Sequence, residues 1–297
     1  MNKAQEFETH RPRLFSLAYR MLGSAAEAED TVQDAYLRWH GADREQIATP
    51  GPWLAKVATN LCLNRLTSAR VQREEYVGPW LPEPVRTEGG ALGPMETAEQ
   101  REAVSMAVLV MMERLTPAER AVVVLRDAFD YGYREIAGVL DSTEANARQI
   151  YRRAKAHLAD GRSRFEPPEQ PRTDLLTRFL EAAALGSLQQ LEAVLADQVI
   201  AWSDGGGKVR AALRPVNGRN NVARFLLGLF TRWVADVEIE VAEVNGAPVV
   251  LGWEAGELVA VGAVEGGEDG ITGIRIIRNP EKLRFLANQS RGVSQNA

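Results

Sequence analysis

Residues Tyr133–Leu158 read YREIAGVLDSTEANARQIYRRAKAHL and contain the most informative local pattern in the chain. Apolar residues at helical spacing predict a short first helix, which Asp141 ends. Ser142 or Thr143 can begin the next helix, because their hydroxyls accept hydrogen bonds from the unpaired N–H groups of a first helical turn. The stretch therefore predicts two helices joined by a tight turn.

The predicted second helix has one apolar side and one polar, mostly basic side. At 100° per residue, the apolar side contains Ala147, Ile150, Tyr151, Ala154 and Leu158. The polar side and its flanks contain Asn146, Arg148, Gln149, Arg152, Arg153 and Lys155. Arg can bond guanine, Asn and Gln can bond adenine, and the remaining cations can hold phosphates, so the pattern is typical of a recognition helix in a DNA major groove. A solvated basic helix in an α-helical bundle is the alternative interpretation.

Composition limits the kind of protein that contains this helix pair. With 297 residues, of which 45% are hydrophobic and 25% charged, the chain is expected to form two or three soluble globular domains. The net charge of −5 means that any DNA-binding surface is local. The single cysteine, Cys62, excludes an intramolecular disulfide, and with three histidines it argues against a zinc site. We expect no metal and no other cofactor.

Neither a signal peptide nor a membrane span is predicted. The stretch Met1–Phe15 carries His10, Arg11 and Arg13 where a signal peptide needs an apolar core. The longest apolar runs fall far short of the ~18 residues that a membrane span needs. The expectation is a cytoplasmic protein without a membrane partner.

Two stretches rich in proline, one of them also rich in glycine, divide the chain. The first is acidic and contains GPWLPEP and TEGGALGPMET, where Pro and Gly prevent a helix or strand from continuing. The second contains EPPEQP, in which three prolines fall within five residues. We predict three domains and two linkers, in the order domain 1–73, linker 74–102, domain 103–165, linker 166–172 and domain 173–297.

The first two predicted domains are helical and the last is mixed. Helices are expected at about Ala25–His40 and Pro52–Arg70. After residue 172, two short helices, a strand and another helix precede four strands with β-branched alternation, separated in part by NGAP and GGEDG turns. This order fits an α+β cone, in which helices wrap a curled antiparallel sheet around an interior pocket.

The helix predicted at Pro52–Arg70 has a polar side with an aromatic residue. That side contains Trp53, Lys56, Asn60 and Asn64. Single-stranded DNA requires such a combination, because a ring can stack on bases, a cation can hold phosphate and amides can bond base edges. The alternative, with Trp53 in the core and the amides solvated, is equally open at this point.

The helix predicted at Ala25–His40 has an acidic side with no basic residue before Arg38. Its acids are Glu27, Glu29, Asp30 and Asp34. Carboxylates and phosphates repel each other because both are negatively charged, so this side cannot contact the DNA backbone. The acidic side is therefore either a solvated face or a docking face for a basic protein.

Taken together, these blocks resemble a known family. In their order and spacing, AEAEDTVQDAYLRWH, PWLAKVATNLCLNRL and LTPAERAVVVLRDAFDYGYREIAGVL are similar to bacterial extracytoplasmic-function sigma factors over residues 1–165. The resemblance implies an all-α sigma-2-like domain that binds core RNA polymerase and melts the −10 promoter element. It also implies an all-α, helix-turn-helix sigma-4-like domain that reads the −35 element.

The resemblance assigns a role to each polar face. The acidic residues Glu27, Glu29, Asp30 and Asp34 would contact the polymerase. Trp53, Lys56, Asn60 and Asn64 would contact the −10 DNA, and the loop at 44–51 would hold a base flipped from the stack. The −35 element would be read by Asn146, Arg148, Gln149, Arg152, Arg153 and Lys155.

Three short motifs narrow the resemblance to a subgroup with a fused carboxy-terminal SnoaL/NTF2-like domain. They are WLPEP (Trp80, Leu81, Pro82, Glu83 and Pro84), DGGGK (Asp204, Gly205, Gly206, Gly207 and Lys208) and NPEKL (Asn279, Pro280, Glu281, Lys282 and Leu283). The usual last motif has Asp where this chain has Glu281. We take these residues as the predicted interdomain regulatory site.

The resemblance implies an alternative sigma factor that is not an enzyme. Its partners would be core RNA polymerase and promoter DNA, and a small ligand in the carboxy-terminal pocket is a further candidate. The fused domain would act in cis at high effective concentration, so a separate anti-sigma factor would not be required. WLPEP as a plain proline-stiffened linker is the alternative interpretation of that motif.

Two rival functions remain open at this point. One is a ligand-sensing helix-turn-helix regulator, and the other is a fused SnoaL-type enzyme. The last domain contains no Tyr, His or Cys, so its candidate catalytic groups are Asp204, Arg219, Asp236 and Glu254.

Overall fold

A computed structural model describes residues 2–88, 92, 104–162, 173–233, 237–267 and 269–294. They belong to two compact units, one formed by Met1–Glu74 and Gly89–Glu166 and the other by Glu75–Glu88 and Pro167–Ala297. The predicted linker 166–172 lies outside the described residues, as does most of 89–102. The structure differs from a plain linker over residues 75–88, which pack into the second unit.

The first unit is helical in its described part. Its helices are α1 (Lys3–Leu22), α2 (Ala25–Gly41), α3 (Pro50–Glu74), α4 (Met106–Met112), α5 (Pro117–Val123), α6 (Tyr133–Val139) and α7 (Glu144–Arg162). A 3-10 turn at Arg44–Gln46 precedes α3, and a π turn at Val124–Ala128 continues α5. The two helices predicted at Ala25–His40 and Pro52–Arg70 are both present, the second longer than expected.

Helices α1 and α2 are joined by a very short connection. Gly23 adopts a left-handed conformation (φ 68°) that ends α1, and its N–H donates to the Tyr19 carbonyl. The Ser24 hydroxyl then accepts from the Glu27 N–H and begins α2. The resulting antiparallel pair buries Phe7 and Trp39, and the Trp39 indole donates to the Lys3 carbonyl at 2.9 Å. α3 packs against both helices.

The second unit is α+β. Its elements are α8 (Thr173–Ala184), α9 (Leu188–Val194), β1 (Leu195–Asp204), β2 (Val216–Asn217), α10 (Arg219–Trp233), β3 (Val237–Val244), β4 (Ala247–Glu254), β5 (Glu257–Gly267), β6 (Gly270–Ile277) and α11 (Pro280–Ser294). The six strands form one sheet in the order β2-β1-β6-β5-β4-β3. Every neighbouring pair is antiparallel except β1 and β6, which are parallel.

Turns and bulges shape this sheet. The β3–β4 hairpin turns on Asn245 and Gly246, whose φ angles of 55° and 72° are those of a type I′ turn. Register shifts lie between Gly252 and Trp253 in β4 and between Glu265 and Gly266 in β5. Because a bulge bends its strand and increases the twist, these shifts curl the sheet.

Helices cover both faces of the sheet. A core cluster joins α8, α9 and α10 to one face and includes Phe179, Leu226 and Ile274. α11 contacts β5 on the other side and buries Leu283 and Leu286. The predicted order, an all-α part followed by an α+β part with a curled sheet, is present, although one of the neighbouring strand pairs is parallel where an antiparallel sheet was predicted.

The sequence analysis missed the last helix, although its start signal is present. The Asn279 side chain accepts from the Glu281 N–H at 3.1 Å, and Pro280 is the first helical residue. An N-cap Asn followed by Pro is a common helix start. Among the described residues, no helix is long and apolar enough to cross a lipid bilayer, and no cluster of His, Cys, Asp or Glu could hold a metal ion.

Candidate functional site

The WLPEP motif lies in a segment that packs against the carboxy-terminal sheet and α11. We call residues 76–88 the strap. Leu81, Pro82 and Pro84 are buried, while Trp80 and Glu83 are partly exposed. Two clusters of contacts hold the strap, one around Asp204 and one around Asn245 at the turn after β3.

Asp204, the last residue of β1, is the centre of the first cluster. It has no exposed surface. Its carboxylate accepts from the Tyr76 hydroxyl at 2.5 Å, the Leu81 N–H at 2.8 Å and the Gly206 N–H at 3.1 Å. It also accepts from the Lys282 ammonium at 2.7 Å. A carboxylate has about four acceptor positions, so this one is fully used, and two of its four donors belong to the strap.

Lys282 completes the cluster from α11. Its side chain is buried, and its ammonium donates to the Leu81 carbonyl as well as to Asp204. The ammonium also lies over the rings of Trp80 at 4.3 Å and Tyr76 at 4.6 Å from their centroids. Cation–π contacts of this kind strengthen when they are shielded from water. One lysine therefore contacts three residues of the strap.

The glycines of DGGGK allow the loop to approach the strap closely. Gly206 has φ 58°, and a Cβ there would lie 2.2 Å from Asn279 Nδ2 and 2.9 Å from the Tyr76 hydroxyl. Asn279 Nδ2 itself donates to the Tyr76 hydroxyl at 2.9 Å. Burial and the Asp204 carboxylate both raise the pKa of Tyr76, so it remains a hydrogen-bond donor. Gly207 packs against Val77 in the same way.

The outer edge of the cluster includes an ion pair between Lys208 and Glu281. Glu281 occupies the position where the usual motif has Asp, and the pair forms with the longer side chain. Both side chains are largely exposed, at 45% and 63%, so the pair stabilises the site little.

The second cluster pairs the strap with the end of β3. Val85 exchanges hydrogen bonds with Asn245, and the Thr87 N–H donates to the Glu243 carbonyl at 3.1 Å. Arg86 is buried and forms an ion pair with Glu240 at 2.6 Å. β3 is an edge strand of the sheet, and residues 85–87 cover part of that edge. Sequence reasoning missed Tyr76 and these three residues. The β-branched pair in VRT was a weak signal for a short strand.

In the first unit, α6 and α7 form the predicted helix-turn-helix. Asp141 adopts φ 47° in the turn, and Thr143 accepts from the Asn146 N–H at 3.2 Å, which identifies Thr143 as the cap. Ala147, Ile150 and Ala154 are buried on the inner side of α7.

The outer side of α7 contains residues that have partners within the described part of the chain and residues that have none there. Arg148 pairs with Glu144 and lies over the Tyr133 ring, and Lys155 pairs with Asp127 at 3.2 Å. The Asn146 amide donates to Ser142 at 2.8 Å. Gln149, Arg152 and Arg153 are exposed, and no described residue forms a hydrogen bond or ion pair with them.

The polar face of α3 is partly covered by the helix-turn-helix. Lys56 forms a 2.5 Å ion pair with Asp141 in its turn. Trp53 is partly buried and packs on Trp39 with 5.8 Å between ring centroids, while Asn60 and Asn64 retain exposed surface. The preceding loop is held to α1 because Arg44 bonds Glu6 through two nitrogens, each at 2.9 Å.

The acidic face of α2 is accessible but partly neutralised. Arg65 of α3 pairs with Asp34 at 2.8 Å and lies 3.9 Å from Asp30. Glu29 is exposed and Glu27 is partly exposed. Leu37 is 62% exposed and follows Asp30 and Asp34 at helical spacing, so these three side chains form one stripe along α2. Sequence reasoning missed this apolar residue.

Comparison with known proteins identifies the family of the chain. The Sigma-70 region 2 family matches residues 7–71, and the Sigma-70 region 4 family matches residues 99–158. The chain is 40% identical over 232 residues to the ECF RNA polymerase sigma factor SigJ of Mycobacterium tuberculosis (strain ATCC 25618 / H37Rv), which is 78% of this chain and 74% of SigJ. The chain belongs to the extracytoplasmic-function sigma factor family.

The likeness extends through the carboxy-terminal domain of this sigma factor. A crystal structure of M. tuberculosis SigJ covers 95% of this chain and 98% of its own, with a TM-score of 0.75 and 33% identity. The sigma factor SigI of the same species is 32% identical over 282 residues, or 93% of each chain. As a member of this family, the protein is an alternative sigma factor that directs transcription initiation.

Proposed function

We propose that this sigma factor binds core RNA polymerase and promoter DNA through its first unit, and that its carboxy-terminal domain controls this activity in cis by holding the strap. The buried cluster of Asp204 and Lys282 on Tyr76, Trp80 and Leu81 is the observation that carries the proposal. No separate anti-sigma factor is needed for control of this kind.

The position of the strap along the chain explains how holding it can affect promoter binding. It follows the region 2 match at 7–71 and precedes the region 4 match at 99–158. When the strap is held, fewer residues are free to connect the two promoter-binding regions. Because the holding domain is covalently attached, its effective concentration is high and modest contacts suffice.

In this proposal α2 binds the polymerase, and α3 and α7 bind the promoter DNA. On α2, a basic protein surface would meet negative charge and one apolar side chain. The charge comes from Asp30 and Asp34, with Glu27 and Glu29 beside them, and the apolar side chain is Leu37. Asn60 and Asn64 offer amides to the −10 strand. Gln149, Arg152 and Arg153 offer side chains to the −35 major groove without breaking a hydrogen bond or ion pair to any described residue.

In the first unit as described, Lys56 is paired with Asp141, so its charge is already partly neutralised and less available to a −10 phosphate. An exposed ion pair contributes only about 0–1 kcal/mol, so polymerase binding can separate it at little cost. We infer that the helix-turn-helix moves off α3 when the sigma factor engages a promoter.

No catalytic step is assigned to the carboxy-terminal domain. Of the groups considered as catalytic candidates, Asp204 is fully bonded within the strap cluster. Arg219 pairs with Asp197 at 3.0 Å and donates to the Leu195 carbonyl. Asp236 lies outside the described residues.

The test compares two lysines that differ in what they hold. In Lys282→Met the cation that contacts the strap is removed, whereas Lys208→Met removes only the exposed pair with Glu281. Each full-length variant, together with Trp80→Ala, is mixed with bacterial core RNA polymerase and assayed by pull-down and run-off transcription. Circular dichroism establishes that each variant is folded.

We expect Lys282→Met and Trp80→Ala to change promoter-specific transcript levels in the same direction, which gives the sign of the control. Lys208→Met is expected to match the wild type. Equal output from all four proteins would reject the cis control, and failure of the wild type to bind core polymerase would reject the assignment of its first unit.

A further inference from the structure

The carboxy-terminal domain contains a cavity that the strap does not use. It measures about 230 Å³ and lies between helices α8 and α10 and one face of strands β3 to β6. Ile239 lies in its wall and is 58% exposed, so the cavity reaches solvent beside β3. Asp204 and Lys282 are not among the residues that form it.

The described residues that line the cavity are all Ala, Gly, Val, Leu, Ile or Phe, and none of them has a charged or hydrogen-bonding side chain. A charged ligand would lose its hydration here without gaining a partner among the described side chains. By contrast, an engineered apolar cavity of about 150 Å³ stays dry and binds benzene. The chemistry of this wall therefore selects uncharged, apolar molecules somewhat larger than benzene.

Small residues at adjacent strand positions create the space. Gly252 in β4 pairs with Ala260 in β5, and Val250 pairs with Gly262. A Cβ built on Gly262 would have one neighbour, Val250 Cβ at 3.9 Å. Gly252 also lies at a bulge, but no bulge is present at Gly262. Glycine inside a strand weakens it and often marks the close approach of a ligand, and Gly262 fits that role.

We propose that this cavity binds an uncharged, apolar small molecule, and that its occupancy is the signal that the domain passes to the strap. The second part rests on the proposed cis control, whereas the first does not. Strand β6 connects the two sites: Ile274 and Ile276 line the cavity, and the next residue, Ile277, pairs with Asp204. A ligand that favours one position of β6 would shift how firmly Asp204 holds the strap.

Two fluorescent probes with the same aromatic skeleton test the binding. N-phenyl-1-naphthylamine is uncharged, and 1-anilinonaphthalene-8-sulfonate adds a sulfonate. We expect the full-length protein to bind the uncharged probe at one site, and the sulfonate at least about tenfold more weakly, because the described wall of the cavity has no charged or hydrogen-bonding side chain to pair with it. Equal affinity for the two probes, or no binding of the uncharged one, would overturn the proposal.

A matched pair of substitutions locates the site. Gly262→Leu places a side chain in the cavity, whereas Gly228→Leu adds the same side chain on the exposed side of α10, where a Cβ would meet no atom within 4 Å. We expect Gly262→Leu to weaken uncharged-probe binding by about tenfold or more, since it fills the volume that the probe needs. Gly228→Leu is expected to bind like the wild type. Unchanged binding by Gly262→Leu would place the probe elsewhere and refute the assignment.

The signalling part has its own readout. Run-off transcription with and without the uncharged probe is expected to differ for the wild type and not for Gly262→Leu. Probe binding without any effect on transcription would reject the signalling role. If Lys282→Met failed to alter transcription, cis control would be rejected, but the probe titration would still decide whether the cavity binds its ligand.

Discussion

Asp204 and Lys282 form a buried ion pair that contacts Tyr76, Trp80 and Leu81 of the strap. Such a pair gains little net stability, because both charges lose water when they are buried. Its value lies in specificity: removing one partner leaves the other charge uncompensated, at a cost of about 3–5 kcal/mol. The ion pair therefore favours one position of the strap over others, and a change in the geometry of the pair would release the strap.

Gly206 provides a test of this close approach. In Gly206→Ala the new Cβ would overlap Asn279 and the Tyr76 hydroxyl, and alanine would be strained at φ 58°. Gly218→Ala is the matched control, because φ there is 85° but no atom would lie within 4 Å of the added Cβ. The strain alone costs on the order of 1–3 kcal/mol.

We therefore expect Gly206→Ala to lower the free energy of unfolding by clearly more than Gly218→Ala, since only the first loses contacts as well. Urea denaturation of the full-length proteins measures both values. Equal losses would show that the strap contact at Gly206 contributes nothing to stability.

At the scale of single elements, α7 shows how one helix separates packing from recognition. Its inner residues are buried against α5 and α6, and its outer residues include Arg152 and Arg153, which contact no described residue through a hydrogen bond or ion pair. A helix with this division can change its outer residues without losing stability. Promoter choice and stability are then set by different residues.

A substitution on α7 tests its assignment to promoter DNA. Arg152→Gln in the polymerase holoenzyme is expected to weaken promoter binding and, if the arginine contacts a phosphate, to reduce the slope of log affinity against log salt by about 1. If it contacts a base edge, the loss is expected to be about 1–3 kcal/mol and specific to one promoter position.

The control is Arg224→Gln, which removes an exposed arginine from α10 in the second unit. Electrophoretic mobility shift at several salt concentrations measures both variants. Identical curves for Arg152→Gln and the wild type would exclude this residue from the DNA interface.

For the whole molecule, the net charge limits how tightly the protein alone can bind DNA. The net charge is −5, with 35 basic and 40 acidic residues, and Lys56 and Lys155 are already paired with acids. Attraction to phosphates dominates non-specific DNA binding. Most of that attraction must therefore come from the polymerase rather than from the sigma factor alone.

The isolated full-length protein is accordingly expected to bind promoter DNA no more tightly than ordinary non-specific binding, about 10⁻⁴–10⁻⁶ M. The holoenzyme is expected to bind in the specific range of about 10⁻⁸–10⁻¹¹ M. Fluorescence anisotropy with labelled promoter DNA compares the two. Nanomolar binding by the isolated protein would contradict the view that the polymerase supplies the attraction.

Much of this molecule follows from local sequence patterns. The apolar spacing in Tyr133–Leu158 predicted the helix-turn-helix, and the paired turn residues Asn245 and Gly246 ended up in a type I′ hairpin. Helical periodicity and turn chemistry act between residues a few positions apart, so one sequence is enough to recognise them. The order and spacing of such blocks also identified the sigma factor family.

The tertiary structure alone decided where the distant residues meet. Asp204 bonds Leu81 across 123 positions, Tyr76 across 128 and Lys282 across 78. The motifs predicted that these segments matter, but not that one carboxylate joins them or that Tyr76 takes part. The cavity beside Gly262 and the pairing of Lys56 with Asp141 depend likewise on how separate elements pack. Local periodicity carries no information about such contacts, because they are formed by chain segments that meet only after folding.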